Sequence, residues 1–166
     1  MKNEVYEIVK VGIADLNTVK PPNRIRTSGL GSCVGLILFD KINEIAGLAH
    51  IMLPTSSLAN QITINQAKYA DTAIPLLINK LEGSGAKMRF LQAKIAGGAQ
   101  MFQFQSSNDM MRIGPRNVEA VKNFLRTHNI PILSEDVGGN SGRTIEFDPK
   151  TSELMIRTVN QGTKII

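Results

Sequence analysis

At 166 residues, 42% of them hydrophobic and 20% charged, the chain is long enough for a real core and has the balance of an ordinary globular protein, read as one domain over residues 1–166. The net charge of +5 predicts a solvated basic surface or an acidic partner, while the 5% aromatic content, the absence of Trp and the lack of a dense Lys/Arg cluster argue against nucleic acid. No apolar run nears the roughly 20 residues of a membrane span, the stretch Met1-Lys2-Asn3-Glu4-Val5 has no signal-peptide apolar segment, and a lone cysteine fits a cytoplasmic, reducing location without disulfides.

In chain order, Glu7 to Leu16 reads as a first strand, broken by Pro21-Pro22-Asn23. Arg24 to Thr27 reads as a short strand entering a glycine-rich loop. Val34 to Phe39 and Ile45 to Leu53 are β-rich apolar runs joined by Asp40-Lys41-Ile42-Asn43-Glu44, the pattern of a hairpin. Thr55 to Ile64 is a polar surface loop. Asn65 caps a helix running to about Leu81, with Pro75 kinking or restarting it. Phe90 to Ala96 is a buried strand, and Arg116-Asn117 opens a second helix with Val118, Val121, Phe124 and Leu125 on its core face, stopped at Asn129. Ile130 to Leu133 is an edge strand or a strand start because of Pro131. Gly138 to Gly142 is a tight loop, and Arg143–Phe147 and Glu153–Val159 form a closing hairpin. Strands, helix, strand, helix, strands predict an α+β fold with mixed or antiparallel sheets and two main helices.

The chemistry concentrates at the central hairpin. A turn centred between Lys41 and Ile42 pairs residues whose numbers add to 83, which sets Cys33 opposite His50 at a Cβ spacing of about 4.5–5.5 Å. A thiol next to an imidazole is a candidate nucleophile, and glycines before it let backbone N–H groups face a developing oxyanion. The plainer reading is a buried structural cysteine beside an unrelated histidine. Gly29-Leu30-Gly31-Ser32-Cys33-Val34-Gly35 is not a dinucleotide fingerprint, because an apolar strand rather than a helix follows it. One Cys and two His without metal-ligand spacing predict no metal site. His128 suits a helix C-terminus. Gly138 to Arg143 reads as a hairpin loop that needs positive φ or, less simply, an anion nest. Gly97-Gly98 either ends a strand or lets substrate approach, and Met101, Met110 and Met111 read as core filling or an adaptable surface.

Thr27-x-Gly29-Leu30-Gly31-Ser32-Cys33-Val34 followed by Ala49-His50-Ile51-Met52-Leu53-Pro54 resembles the CheD family, chemoreceptor glutamine deamidases of bacterial chemotaxis. Lys68-Tyr69-Ala70-Asp71, Lys94 to Phe102, Ile113-Gly114-x-Arg116-Asn117 and Asp136-Val137-Gly138-Gly139-Asn140-x-Gly142-Arg143 extend the likeness over about residues 8 to 160. The resemblance implies a layered α/β/β sandwich similar to deamidating bacterial toxins. It implies hydrolysis of glutamine amides on methyl-accepting chemotaxis receptors, with receptor methyl esters as a second substrate class, and no cofactor. It maps a cysteine nucleophile to Cys33, its histidine to His50 and a third polar residue to Thr27, with Gly31 and Ser32 in the oxyanion loop. It also implies docking to the phosphatase CheC, so that a binding module is the competing reading.

Overall fold

The computed structural model describes residues 5–60, 62–101 and 112–166. Met110 and Met111, read from the sequence as core filling or an adaptable surface, lie outside them, as does Phe102 at the end of one matching stretch. Twelve named elements follow one another: β1 (Ile8–Lys10), β2 (Leu16–Val19), β3 (Arg24–Leu30), β4 (Val34–Asp40), β5 (Ile45–Ile51), α1 (Ala70–Gly83), β6 (Leu91–Gly97), α2 (Ile113–Thr127), β7 (Ile132–Val137), β8 (Arg143–Asp148), β9 (Glu153–Thr158) and β10 (Gly162–Ile165). The strands make two mixed five-stranded sheets, β1-β3-β8-β9-β10 and β2-β5-β4-β6-β7.

The alternation of side chains along β4 and β5 divides the core in two. Leu36, Leu38, Ala49 and Ile51 face the helices and pack with Ile74 and Leu77 of α1 and Val121 and Leu125 of α2. Ile37, Phe39, Ala46 and Leu48 face the first sheet and pack with Ile25, Ile145, Phe147 and Ile156. Phe39 and Phe147 meet across the sheets with ring centroids 5.1 Å apart. Every residue of β4 and β5 is buried, which is why both read as unbroken apolar runs rather than as alternating strands. The molecule is therefore α+β, with helices on one sheet and the second sheet on its other face.

Several boundaries differ from the sequence reading. Glu7–Leu16 is two strands in different sheets: the chain turns at Ala14 (φ 57°) and crosses from β1 to β2. Asn65 does not cap α1. Its Oδ1 accepts the Ala67 N–H and its Nδ2 donates to the Ala14 carbonyl, and α1 begins five residues later and runs unbroken through Pro75. α2 begins at Ile113 with Pro115 in its first turn, where the missing N–H costs nothing, so Arg116 and Asn117 lie inside the helix. β7 starts just after Pro131 and is an edge strand of its sheet, as the proline predicts. Gly138–Gly142 is not a hairpin loop but the passage from β7 in one sheet to β8 in the other; positive φ falls at Gly138 and Gly139.

Candidate active site

The central hairpin carries the site, and its register differs by two residues from the one expected. Gly35 pairs with His50 and Asp40 with Ile45, so partner numbers add to 85. The cause lies in the turn. The Asp40 carboxylate accepts the N–H groups of Ile42 and Asn43 and the side-chain amide of Asn43, and also the N–H of Lys87. Burial alone would raise the Asp40 pKa, but these four donors outweigh it and hold the carboxyl below its ordinary value. The loop so fixed is Lys41 to Glu44, with Glu44 at φ 53°. Cys33 therefore does not stand directly opposite His50. A shift of two residues preserves the face, however. Cys33, Gly35 and His50 all point toward the first sheet, with Cys33 on the diagonal from His50, a relation that spans about 7–8 Å between α-carbons in antiparallel sheets. Gly35 lets the two sheets close here, since a Cβ on it would lie 2.6 Å from Ile145 Cδ1 and 3.0 Å from Leu30 Cδ1.

His50 is fully buried and held by main chain on both sides: its N–H donates to the Asp15 carbonyl and its carbonyl accepts the Ala14 N–H. Its Nδ1 lies 2.7 Å from Thr27 Oγ1, on β3 of the facing sheet. Thr27 Oγ1 also donates to the Val11 carbonyl, at 2.7 Å. A hydroxyl has one proton. With that proton on Val11, Thr27 can only accept from the imidazole, so His50 carries its proton on Nδ1 and presents Nε2 as a bare acceptor. Nε2 is buried and has no hydrogen-bond partner among the described residues. Threonine thus sets the tautomer, a role that a carboxylate fills in charged triads.

Burial holds His50 neutral, lowering its pKa to about 4, and burial also raises the Cys33 thiol, opposed by the dipole of its own N–H. In the resting protein both groups are neutral, and no thiolate–imidazolium pair forms. A stability prediction follows. Above pH 6.5 the imidazole is neutral whether the chain is folded or not. Between 6.5 and about 4 the unfolded chain binds a proton that folded His50 refuses, so stability falls as the pH falls, by roughly 3 kcal/mol over that window. Urea midpoints measured from pH 7 to 4 should show this loss in the wild type and lose most of it in His50→Gln.

The loop before Cys33 is backed by the end of β6 and by α2. Gly98 N–H donates to the Cys33 carbonyl (2.8 Å) and Ala99 N–H to the Gly31 carbonyl (2.9 Å). Gly97 has φ 104°, and a Cβ there would lie 2.3 Å from the Cys33 carbonyl oxygen. What approaches this glycine is thus the chain's own loop at Cys33. Gly97→Ala should cost on the order of 3 kcal/mol, from left-handed strain plus a backbone clash, read as a lower urea midpoint. Arg143, 7% exposed, donates to the Gly97 and Gly138 carbonyls at 3.2 and 2.9 Å and pairs with Asp136 at 3.3 Å. This guanidinium ties the Gly138 loop to β6. Met101 is not core filler: it is 45% exposed and its side chain lies against Gly31. His128 is exposed at the end of α2, stacked on Phe124 at 4.1 Å, remote in the fold from the hairpin face that bears Cys33.

Asn117 is the residue that sequence reasoning missed. It is fully buried, and its Nδ2 donates to the Ser32 carbonyl (2.9 Å) and to the Met52 carbonyl (2.8 Å), joining the residue before Cys33 to the exit of β5. The signal was present: residues 117, 121 and 125 share a helix face, and an amide heading the stripe of Val121 and Leu125 has to bond something inside. Among the described residues no three His, Cys, Asp or Glu side chains form a group that could hold a metal ion, and no helix is long and apolar enough to cross a membrane.

The family model for CheD chemotactic sensory transduction matches residues 52–158. The chain belongs to the CheD family. It is 64% identical over 160 residues to the chemoreceptor glutamine deamidase CheD of Halalkalibacterium halodurans, a match that covers 96% of this chain and 99% of that protein. The chemoreceptor glutamine deamidase CheD of Bacillus subtilis is 57% identical, with 96% of both chains covered, and a probable chemoreceptor glutamine deamidase CheD of Syntrophomonas wolfei is 49% identical over 96% of this chain. The family model begins beyond His50, whereas these relatives match nearly the whole chain.

Proposed function

We propose that the protein hydrolyses glutamine side-chain amides on chemoreceptors to glutamate, with Cys33 as nucleophile, His50 as base and then acid, and Thr27 as the group that fixes the imidazole tautomer. The observation that carries the chemistry is the buried Nε2 of His50, without a partner among the described residues, on the face that Cys33 shares. The substrate class rests on the printed names of the relatives.

Because thiol and imidazole are both neutral at rest, proton transfer accompanies attack. Nε2 takes the Cys33 proton as sulfur bonds the carboxamide carbon, and the carbonyl electrons move to oxygen. The tetrahedral intermediate collapses by breaking its C–N bond, and the proton on Nε2 goes to the departing amine, which leaves as ammonia. A water then loses a proton to Nε2 and adds to the thioester. Expulsion of the sulfur, reprotonated from Nε2, gives glutamate and restores the thiol. The sum is glutamine plus water giving glutamate plus ammonia, with no cofactor. Thr27 is neutral and stabilises imidazolium less than a carboxylate would, so turnover is slow. The new negative charge on a receptor helix alters repulsion between neighbouring helices, and a basic protein suits such an acidic substrate.

The test is to incubate a purified cytoplasmic fragment of a Bacillus subtilis chemoreceptor with the protein, reading intact mass and free ammonia. A gain of about one mass unit for each ammonia released, the signature of amide replaced by carboxylate, is the expected result. Neither change would move the reading to a non-catalytic module docking on the phosphatase CheC.

A further inference from the structure

The β4–β6 ladder breaks at the residue that carries the nucleophile. In an antiparallel hydrogen-bonded pair the two residues exchange both N–H···O bonds. Val34 pairs with Gly97, so Cys33 and Gly98 come next, and half of their exchange is present: Gly98 N–H donates to the Cys33 carbonyl at 2.8 Å. The reciprocal bond is missing. Among the described residues the Cys33 N–H donates to no backbone carbonyl; it lies close to its own sulfur, where its dipole favours the thiolate. The Gly98 carbonyl that would take it is turned aside: Gly98 has φ 65°, and its oxygen would lie 2.7 Å from a Cβ on Gly114 of α2.

Asn117 fixes the direction of that donor. Its Nδ2 takes the Ser32 carbonyl toward α2, on the helix side of the second sheet. In a planar trans peptide the C=O and the following N–H point in opposite directions, so the Cys33 N–H is turned away from the helices, onto the side of its own Sγ and of His50. The second hydrogen of the same amide goes to the Met52 carbonyl, which fixes Asn117 from the other strand of the hairpin. The reverse amide orientation would set Oδ1 against two carbonyl oxygens, so the bonds themselves determine it. The remaining atom, Oδ1, is buried without a partner among the described residues, a destabilising arrangement that a purely structural position would lose by substitution to an apolar residue of the same size.

We propose that Asn117 is a positioning residue that creates the oxyanion site: by fastening the Ser32 carbonyl, it holds the 32–33 peptide with the Cys33 N–H aimed at the oxygen of the tetrahedral intermediate formed on Sγ. The inference rests on the deamidase reading above. It adds to that reading the identity of a donor, the Cys33 N–H, and the device that orients it.

The experiment compares wild type, Asn117→Leu and Asn117→Asp on the same receptor fragment, and follows alkylation of Cys33 by iodoacetamide as a function of pH. Alkylation develops no oxyanion, but it reports the thiol pKa. Asn117→Leu removes both donors at similar volume, and the expected result is a fall in kcat on the order of 10²-fold, the usual cost of an oxyanion donor, with KM little changed. The alkylation midpoint should move up, because the N–H that favours the thiolate is lost. A brace that merely loosened would expose the thiol, relieve its burial and move the midpoint down with faster alkylation. Asn117→Asp keeps the shape and, as a neutral acid, one donor; its kcat should fall between the other two, and it serves if the leucine variant does not fold. Wild-type kcat in either folded variant, or a midpoint that moves down, overturns the proposal. Failure of the wild type itself to deamidate, or full activity in a Cys33→Ala control, overturns the deamidase reading and the proposal with it; loss confined to the Asn117 arms does not touch that reading.

Discussion

Cys33→Ala should reduce receptor deamidation to the uncatalysed background, a loss on the order of 10⁵–10⁶-fold in kcat, comparable with removal of a nucleophile from other covalent hydrolases. Cys33→Ser should restore little. A weak base with a pKa of about 4 takes the thiol proton only as sulfur attacks; an alcohol is far less acidic and a poorer nucleophile at neutral pH. Cys33 is partly exposed and lies just before β4, and alanine removes only its Sγ, so the variant should keep the wild-type urea midpoint. Loss of activity at unchanged stability separates chemistry from folding.

The second large effect is at His50. His50→Gln should lower kcat by on the order of 10³-fold, within the usual range for loss of a general base and acid. The wild-type pH profile carries the same information. An ordinary histidine would lose activity below about pH 6.5, but an imidazole that stays neutral to about 4 should keep kcat/KM level through pH 6 and 5, with the acid limb near 4. Initial rates on protein shown by circular dichroism to be folded at each pH would check this. A limb near 6.5 would mean that the imidazole is solvated during turnover. Thr27 supports the level region without adding charge, since its hydroxyl accepts from Nδ1 while its proton is committed to the Val11 carbonyl.

The two helices and the central hairpin were legible because burial on both faces leaves unbroken apolar runs in β4 and β5, and an amphipathic stripe in α2; the layering came only from the family resemblance. The register was not. It is set by the Asp40 side chain bonding back into its own turn and across to Lys87, and the Lys87 bond links residues 47 positions apart. The division of Glu7–Leu16 between two sheets was equally hidden, because its apolar pattern does not say which partner each half meets. At the site, chemistry-bearing residue types marked Cys33 and His50. The positions of Asn117 and Gly97 depend on which backbone atoms come near them, and only the fold supplies that. Of the two readings of Gly97-Gly98 the strand end holds, since β6 stops at Gly97; what the sequence did not show is that the close partner of this glycine is the Cys33 carbonyl.

The central claim is that an acyl group passes through the sulfur of Cys33, and partition to hydroxylamine tests it most directly. With hydroxylamine present during turnover of the receptor fragment, a thioester intermediate is captured as a hydroxamate, which adds about 16 mass units to the same glutamine instead of about one. The account predicts hydroxamate in proportion to hydroxylamine with wild type, and none with Cys33→Ala. Deamidation that yields only glutamate at high hydroxylamine, or hydroxamate formed equally by Cys33→Ala, would contradict it.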